Sequence, residues 1–244
     1  MGFLARLRVG NGPVPSGRPP VPVYRQAGTA VAEISRRSTD TDSESVLRLS
    51  NGLKEFLSQL EGIGRGSLLD LGPARQATLN FFIDRGYKVY SEDLLTGWKR
   101  FLEDEQMSRE FPRDADYLEM NTAARAERFL GETLRYPEAS FDAVIFWDIL
   151  DYLDVEAASL LVSRMALLTR EGGSAMAMFH IRKPEVFSHY RIHDEQNLEL
   201  VQAPFPVAPQ HIYQNREISD LFRRFRSSKT FVGRDQLRET IFVR

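Results

Sequence analysis

The chain has 244 residues, of which 42% are hydrophobic and 27% are charged, and its formal net charge is −2 at pH 7. This composition is ordinary for a globular protein, and the small charge gives no overall attraction to nucleic acid or to an anionic membrane. The absence of cysteine excludes disulfides, thiolate catalysis and cysteine-ligated metals. No apolar run approaches the ~20 residues of a membrane span, and the first apolar stretch is too short for a signal peptide. We therefore expect a cytoplasmic protein.

Residues 1–44 differ in composition from the rest of the chain. Five of the 12 prolines fall between Pro13 and Pro22, and the polar run RRSTDTDSES follows. Such a segment buries too little apolar surface to offset the entropy of an ordered chain. The sequence predicts a flexible tail over residues 1–44 and one folded domain over residues 45–244.

The domain begins with an apolar pattern of helical spacing. Its members are Val46, Leu49, Leu53, Phe56, Leu57 and Leu60. The pattern predicts a helix from Ser45 that ends before Gly62.

Residues 67–94 predict a strand, a tight turn, a helix and a second strand. Residues 67–71 are a short apolar run, as in a strand buried on both faces of a parallel sheet. Leu79, Phe82 and Ile83 then fall at helical spacing, and Gly86 is able to close the helix. Residues 88–91 form the second strand.

A carboxylate stands at the end of each of these strands. Asp70 precedes the turn at Gly72, and Asp93 follows the second strand, 21 residues after Gly72. A glycine turn lets a ligand approach the backbone, and a carboxylate ~20 residues later accepts hydrogen bonds from ribose hydroxyls. The pattern predicts a nucleotide-binding βαβ unit. Two alternatives stay open: Asp93 as a helix cap, and Glu92 as the ribose ligand if the register is shifted by one residue.

The middle of the chain is harder to interpret. Trp98, Phe101 and Leu102 indicate a helix, and residues 122–134 indicate another with Thr122 as its N-cap. We place a third strand at residues 116–120.

The sheet resumes with a predicted strand at residues 143–147. Asp154 is expected to cap the next helix, Gly172 and Gly173 to end it, and residues 175–179 to form another strand. The core face of this helix consists of Ala157, Leu160, Leu161, Arg164, Met165 and Leu168.

A last helix and two short strands complete the predicted elements. Ile218, Leu221, Phe222 and Phe225 lie at helical spacing, with Asn215 as the expected cap. The β-rich runs KTFVG and RETIFVR follow.

In this order of motifs the chain resembles the class I S-adenosylmethionine-dependent methyltransferases. Their first motif, Asp/Glu-x-Gly-x-Gly-x-Gly, corresponds to DLGPARQ, in which Ala74 and Gln76 replace the second and third glycines. VYSED resembles the end of their second strand, FDAVIFWDILDYL their fourth strand and its turn, and LLTREGGSAMAMF their fifth-strand region. The resemblance runs from about Gly66 to Arg244. It implies a Rossmann-like three-layer α/β sandwich with a mostly parallel seven-stranded sheet and an antiparallel last strand at about residues 240–243.

The resemblance also implies S-adenosylmethionine as the cofactor. The implied cofactor-binding residues are Asp70, Gly72, Ala74, Asp93, Trp147 and Asp148. Gly72 would lie against the methionine part, Asp70 would orient its ammonium, and Asp93 would hold the ribose. Trp147 would stack on adenine or close off the substrate, with core packing as its alternative. Asp148 and Asp151, three residues apart, are expected to face one way in a helical turn, as general bases, as ligands of a substrate ammonium or as solvated groups.

Residues 182–214 are too long for a simple connection, and the resembled family places its substrate lid there. The implied substrate-side residues are His180, His189 and Tyr190. His189 and His193 would match a helical metal pair, but no clear arrangement of carboxylate partners accompanies them, so no metal site is predicted. Tyr152 stands where the family often has histidine, so no catalytic base is assigned.

Three functional hypotheses follow from these residues. The first is methyl transfer to a small molecule, and the second is a binding or scaffold domain of the same fold without catalysis. The third, a nicotinamide-dependent oxidoreductase, takes Gly72, Ala74 and Ala77 as a relaxed glycine motif, but the two terminal strands argue against it. Nucleic acid is not an expected partner, because the arginine cluster at residues 223–226 has no aromatic platform. The sequence does not predict the oligomeric state.

Overall fold

A computed structural model of the chain describes residues 45–110, 121–203 and 207–244, without the side chains of residues 108–110. The predicted tail at residues 1–44 and the predicted strand at residues 116–120 lie outside the described residues. The strands are β1 (Ser45–Leu49), β2 (Ser67–Asp70), β3 (Lys88–Ser91), β4 (Phe141–Trp147), β5 (Thr169–His180), β6 (Ser188–Ile192), β7 (Asn197–Gln202), β8 (Ser227–Val232) and β9 (Leu237–Val243). The helices are α1 (Asn51–Gln59), α2 (Gln76–Ile83), α3 (Leu94–Glu110), α4 (Thr122–Thr133), α5 (Val155–Leu168) and α6 (Asn215–Leu221). None of these helices is both long and apolar enough to cross a bilayer.

Six strands form the central sheet, in the order β3-β2-β4-β5-β9-β8. Strands β3, β2, β4 and β5 are parallel, and β9 is antiparallel to both of its neighbours, β5 and β8. This confirms the mostly parallel sheet with an inserted antiparallel last strand. The count of seven is not reached in the described residues, and the last strand is longer than predicted.

Helices cover both faces of the central sheet, which confirms the three-layer Rossmann-like sandwich. On one face α1 and α2 contribute buried side chains such as Leu53, Phe56 and Phe82. On the other face α3, α4, α5 and α6 contribute Trp98, Phe129, Leu161, Ile218 and their neighbours. The strands between them are almost wholly apolar, as expected for a sheet that is buried on both sides.

A second, antiparallel sheet of three strands has the order β1-β7-β6. Strands β6 and β7 come from the long connection at residues 182–214, and β1 pairs with β7 along its whole length. The prediction of a helix from Ser45 is therefore wrong for residues 45–49. Val46 and Leu49 are 63% and 61% exposed and join no helical core face. The helix begins after Ser50, whose hydroxyl accepts a hydrogen bond from the N–H of Leu53 at 2.9 Å.

Three boundary predictions are also wrong. The N-cap of α4 is Asn121 and not Thr122, and the N-cap of α6 is Gln214 and not Asn215. Gly172 and Gly173 do not end α5, which stops at Leu168, but lie within β5. Glycine is needed there because a Cβ on Gly173 would lie 2.9 Å from one backbone oxygen and 3.0 Å from another. The predicted cap Asp154 is confirmed, since its carboxylate accepts from the N–H of Ala157 at 2.8 Å.

Candidate functional site

A cavity of about 420 Å³ opens where β2, β3 and β4 end. The strand ends contribute one side, here called the strand-end wall: Gly72, Pro73, Asp93, Trp147, Asp148, Ile149 and Tyr152. Helix α3 contributes the helix wall: Leu95, Thr96, Trp98, Lys99 and Leu102. The long connection contributes the outer wall: Phe187, Ser188, His189, Tyr190, Ala203, Val207 and Gln210. Open α/β sheets bind ligands at the carboxyl ends of their strands, and the volume is in the range of small-molecule sites.

Asp93 is the carboxylate of β3 that faces the cavity. It also caps α3, because its Oδ1 accepts a hydrogen bond from the N–H of Thr96 at 3.2 Å. Glu92 is not a lining residue and accepts a hydrogen bond from the hydroxyl of Tyr136 at 2.5 Å. Burial raises the pKa of Glu92. Asp93 therefore caps α3 and lines the cavity at the same time. The two roles that the sequence left as alternatives are compatible.

Asp70 lies behind the strand-end wall and supports it. Its Oδ1 accepts hydrogen bonds from the N–H of Gly72 at 2.9 Å and from Nε1 of Trp147 at 2.7 Å. Burial raises the pKa of Asp70 to about 6, although both hydrogen bonds lower it. Ala74 is exposed in the turn after β2, and it does not line the cavity either.

Trp147 forms the centre of the strand-end wall. Its indole is 4% exposed and stacks on the ring of Tyr190, with 5.7 Å between centroids and 4° between planes. The same indole lies against Gly72, where an added Cβ would be 2.7 Å from Cδ1 of Trp147. Trp147 is therefore packed into the core and lines the cavity at the same time.

A turn of 3-10 helix (Ile149–Tyr152) brings Asp148 and Asp151 to the same histidine. Oδ2 of Asp151 is 3.0 Å from Nδ1 of His180 and accepts from the backbone N–H of His180 at 2.7 Å. Oδ2 of Asp148 is 3.9 Å from Nε2 of His180. Asp148 lines the cavity, whereas Asp151 and His180 lie behind it.

The electrostatics of this cluster favour a proton held between its members. Burial raises the pKa of Asp148 to about 7, although the charge of His180 lowers it. Burial lowers the pKa of His180, but the hydrogen bond to Asp151 and the charge of Asp148 outweigh it, so that the net shift is upward. Asp148 is thus a buried carboxyl at the cavity surface whose pKa is raised toward neutral pH.

The outer wall is joined to the strand-end wall by polar contacts. The hydroxyl of Tyr190 donates to Oδ2 of Asp148 at 3.2 Å, and the N–H of Gln210 donates to the carbonyl of Asp151 at 2.8 Å. His189 packs edge-on against Phe187, and burial lowers its pKa. The cavity therefore collects Gly72, Asp93, Trp147, Asp148, His189 and Tyr190 from the predicted site residues.

The helical histidine pair does not exist in the structure. His189 lies within β6, and His193 lies just beyond the end of that strand. No cluster of three or more histidine, aspartate or glutamate side chains suited to a metal ion occurs among residues 45–110, 121–203 and 207–244.

Sequence reasoning missed the helix wall, the outer wall beyond His189 and Tyr190, and Tyr152 as a lining residue. The helix wall had a signal, because α3 starts directly after Asp93 and its first turns must lie beside that residue. Tyr152 is 2% exposed, and its hydroxyl has no hydrogen-bond partner among the described residues. A buried hydroxyl in this position is a ready partner for a polar group of a ligand.

No protein-family model and no curated protein matches this chain. A solved protein from Pyrococcus horikoshii is 11% identical over 78% of this chain and 86% of its own, with a TM-score of 0.43. A SAM-dependent methyltransferase from Methanosarcina mazei is 11% identical over 74% of this chain and 93% of its own, with a TM-score of 0.43. The 1,6-didemethyltoxoflavin-N1-methyltransferase of Burkholderia thailandensis is 14% identical over 79% and 76%, with a TM-score of 0.40. Scores of this size say nothing about function, which has to be argued from the residues of the cavity.

Proposed function

We propose that the chain binds S-adenosylmethionine in this cavity and transfers its methyl group to a small-molecule acceptor. One observation carries the proposal. Gly72, Asp93 and Trp147–Asp148 come from the ends of three separate strands, and all of them meet on one cavity of ligand size. The sequence pattern that predicted a nucleotide site and the position of the cavity at the strand ends agree.

The nucleoside end of the donor fits the residues present. Asp93 is able to accept hydrogen bonds from two ribose hydroxyls while its cap contact to Thr96 holds it in place. The helix wall offers an apolar surface for a base through Leu95, Trp98 and Leu102. The amino-acid end fits less well, because Trp147 fills the space over Gly72.

The acceptor side of the cavity suits a compact molecule with an apolar or aromatic body. Tyr152, Phe187 and Tyr190 supply aromatic walls, and the side chain of Asp148 lies among them. S-adenosylmethionine, when bound, supplies a methyl group that is already activated by a positively charged sulfur. The protein then has to position the acceptor and exclude water, and Asp148 is placed to take a proton from an acceptor hydroxyl or amine.

A second function is compatible with the position of the same tryptophan. A domain that binds only a nucleoside, without methyl transfer, needs the ribose carboxylate but no access to Gly72. In such a domain the indole of Trp147 would stay in place over Gly72.

Calorimetric titration with S-adenosylmethionine and S-adenosylhomocysteine tests the proposed function. Asp93→Asn keeps a good helix cap but loses the charge, so binding should weaken by about tenfold. Glu92→Gln is the matched control, because Glu92 is the adjacent carboxylate that faces Tyr136 and not the cavity. The control should bind like the wild type.

Two results would contradict the proposal. One is that the wild type binds neither compound at millimolar concentration, and the other is that Asp93→Asn binds as well as the wild type. If Glu92→Gln alone weakens binding, the ligand lies elsewhere. If binding is normal but no acceptor in a panel of phenols and aromatic amines is methylated, the nucleoside-binding function is favoured instead.

A further inference from the structure

Trp147 has a backbone conformation that tryptophan rarely adopts. Its φ is +52°, in the left-handed region, and the register of β4 against β5 shifts between Ile145 and Trp147. A large aromatic side chain costs free energy in this region, and such residues are concentrated at ligand sites and switches. The local strain is therefore a reason to look for a functional role of this residue.

The indole of Trp147 excludes any group from the space over Gly72. A Cβ on Gly72 would lie 2.7 Å from Cδ1 and 2.8 Å from Nε1 of Trp147. Heavy atoms do not approach so closely without a hydrogen bond. A ligand that is to contact the backbone of Gly72 must first displace the indole.

The contact between Trp147 and Asp70 resembles a contact that a ligand would make. Nε1 of Trp147 donates to Oδ1 of Asp70 at 2.7 Å, and Asp70 is 1% exposed. The indole N–H is a neutral donor to a buried carboxylate. An ammonium group in the same place would be a charged donor and would make the stronger hydrogen bond. The indole N–H thus occupies a position in which Asp70 would stabilise a ligand ammonium.

We propose that Trp147 is a gate for the amino-acid group of the donor. This inference rests on the proposed function. With its indole over Gly72, the cavity accepts a nucleoside that lacks the amino-acid group. The complete donor binds after the indole turns away, breaks its stack with Tyr190 and gives up Asp70 to the donor ammonium. Trp147 thereby determines which adenosine derivatives the site takes.

The test compares two thioether nucleosides that differ in the amino-acid group. Calorimetry measures the binding of S-adenosylhomocysteine and of 5′-methylthioadenosine to the wild type and to Trp147→Ala. Removal of the indole abolishes one hydrogen bond and one aromatic stack that the donor must otherwise break. S-adenosylhomocysteine should bind Trp147→Ala about tenfold to a hundredfold more tightly than it binds the wild type. The affinity for 5′-methylthioadenosine should rise by a much smaller factor or fall, because this nucleoside has no amino-acid group that needs the space over Gly72.

A fluorescence measurement keeps the test decisive if Trp147→Ala does not fold. The chain has two tryptophans, so Trp98→Phe leaves Trp147 as the single reporter. S-adenosylhomocysteine should shift the emission of this variant toward that of exposed indole, and 5′-methylthioadenosine should not.

The outcomes separate the gate from the proposed function. If both nucleosides bind the wild type as tightly as they bind Trp147→Ala, or if S-adenosylhomocysteine binds without a change in emission, the gate is overturned and the proposed function stands. If neither nucleoside binds the wild type, Trp147→Ala or Trp98→Phe, the proposed function fails and the gate fails with it.

Discussion

The two main walls of the cavity are built from different kinds of structure. The strand-end wall lies at the ends of β2, β3 and β4, and the side chains of β2 and β4 are buried on both faces of the central sheet. The outer wall belongs to the long connection between β5 and α6, which is held by the three-stranded sheet β1-β7-β6. Local sequence determines the first wall, whereas pairing between distant segments determines the second.

The two walls should also differ in local stability. The strand-end wall is supported by the core, so the backbone positions of Gly72, Asp93 and Trp147 are fixed by the fold. The outer wall packs on the core from one side and faces the cavity on the other, and its edge strand β1 is largely exposed. Regions of this kind have fewer buried contacts and a lower local stability. We propose that residues 182–214 act as the lid of the site.

The largest expected effect is on the free energy of unfolding, and it is measured by replacing one phenylalanine from each region. Phe146 is fully buried in β4 and packs against Phe222, whereas Phe187 in the outer wall is 8% exposed and lines the cavity. Phe146→Ala should lower the free energy of unfolding by about 3–5 kcal/mol. Phe187→Ala should lower it by about 1–2 kcal/mol, because its side chain already borders an open space. Urea denaturation measures both, and equal losses would show that the outer wall is as well supported as the core.

The same comparison explains how much the sequence could predict. The turn at Gly72 and the carboxylate Asp93 are signalled by residues within one βαβ unit, and the structure places both on the cavity. The helix prediction was wrong for residues 45–49. Val46 and Leu49 fit a helical pattern, and only the pairing with β7 makes them a strand. That pairing joins residues about 150 positions apart, which no local pattern encodes. Caps were misplaced by one residue at α4 and α6, where two neighbouring polar residues were both suitable.

The side chains of the cavity show the same limit. Gly72 was expected to leave room for a ligand, but the room is taken by Trp147, which is 75 residues away in the chain. Asp70 was expected to face the ligand, but it accepts the indole N–H instead. Each difference comes from a contact between two strand ends, and such contacts depend on side-chain rotamers and not on spacing.

The next effect concerns pH and the buried cluster at the end of β4. The pKa of Asp148 is about 7 in the folded protein against an ordinary value of 3.8. Below pH ~4 the carboxyl is protonated in both states, and between pH ~4 and ~7 only the unfolded chain releases the proton. Stability should therefore fall as the pH rises through this window, and the raised pKa of His180 acts in the same direction. The wild type should be less stable at pH 8 than at pH 5 by about 2–4 kcal/mol.

Asp148→Asn should remove part of this pH dependence, because the raised pKa values of Asp70 and His180 contribute in the same direction. Asparagine is similar in shape and stays neutral, so the penalty for a buried negative charge disappears. Asp154→Asn is the control, because it keeps the cap of α5 and lies outside the cluster. Urea denaturation at pH 5 and pH 8 measures the difference. An unchanged pH dependence in Asp148→Asn would mean that Asp148 is ionised in the folded protein well below neutral pH.

A smaller effect tests the fit between Gly72 and Trp147 within the strand-end wall. Gly72→Ala forces the indole to move, and we expect a loss of about 1–3 kcal/mol. In the Trp147→Ala background the nearest remaining atom to the same methyl group is Oδ1 of Asp70, at 3.3 Å, so the additional loss should be much smaller, below ~1 kcal/mol. Chemical denaturation of the wild type, the two single variants and the double variant gives the coupling energy. Additive losses would show that the strain at Gly72 comes from its own backbone and not from the indole.

The smallest expected effect concerns the one hydroxyl that joins the outer wall to Asp148. Tyr190→Phe keeps the stack on Trp147 but removes the donor to Oδ2 of Asp148, so the loss should be about 1 kcal/mol. The loss should be larger at pH 8 than at pH 5, because the carboxylate that loses its donor is charged only above pH ~7. Tyr136→Phe is a matched control, since it removes a tyrosine-to-carboxylate hydrogen bond away from the cavity. If Tyr190→Phe costs the same at both pH values, the hydroxyl stabilises the outer wall independently of the charge on Asp148.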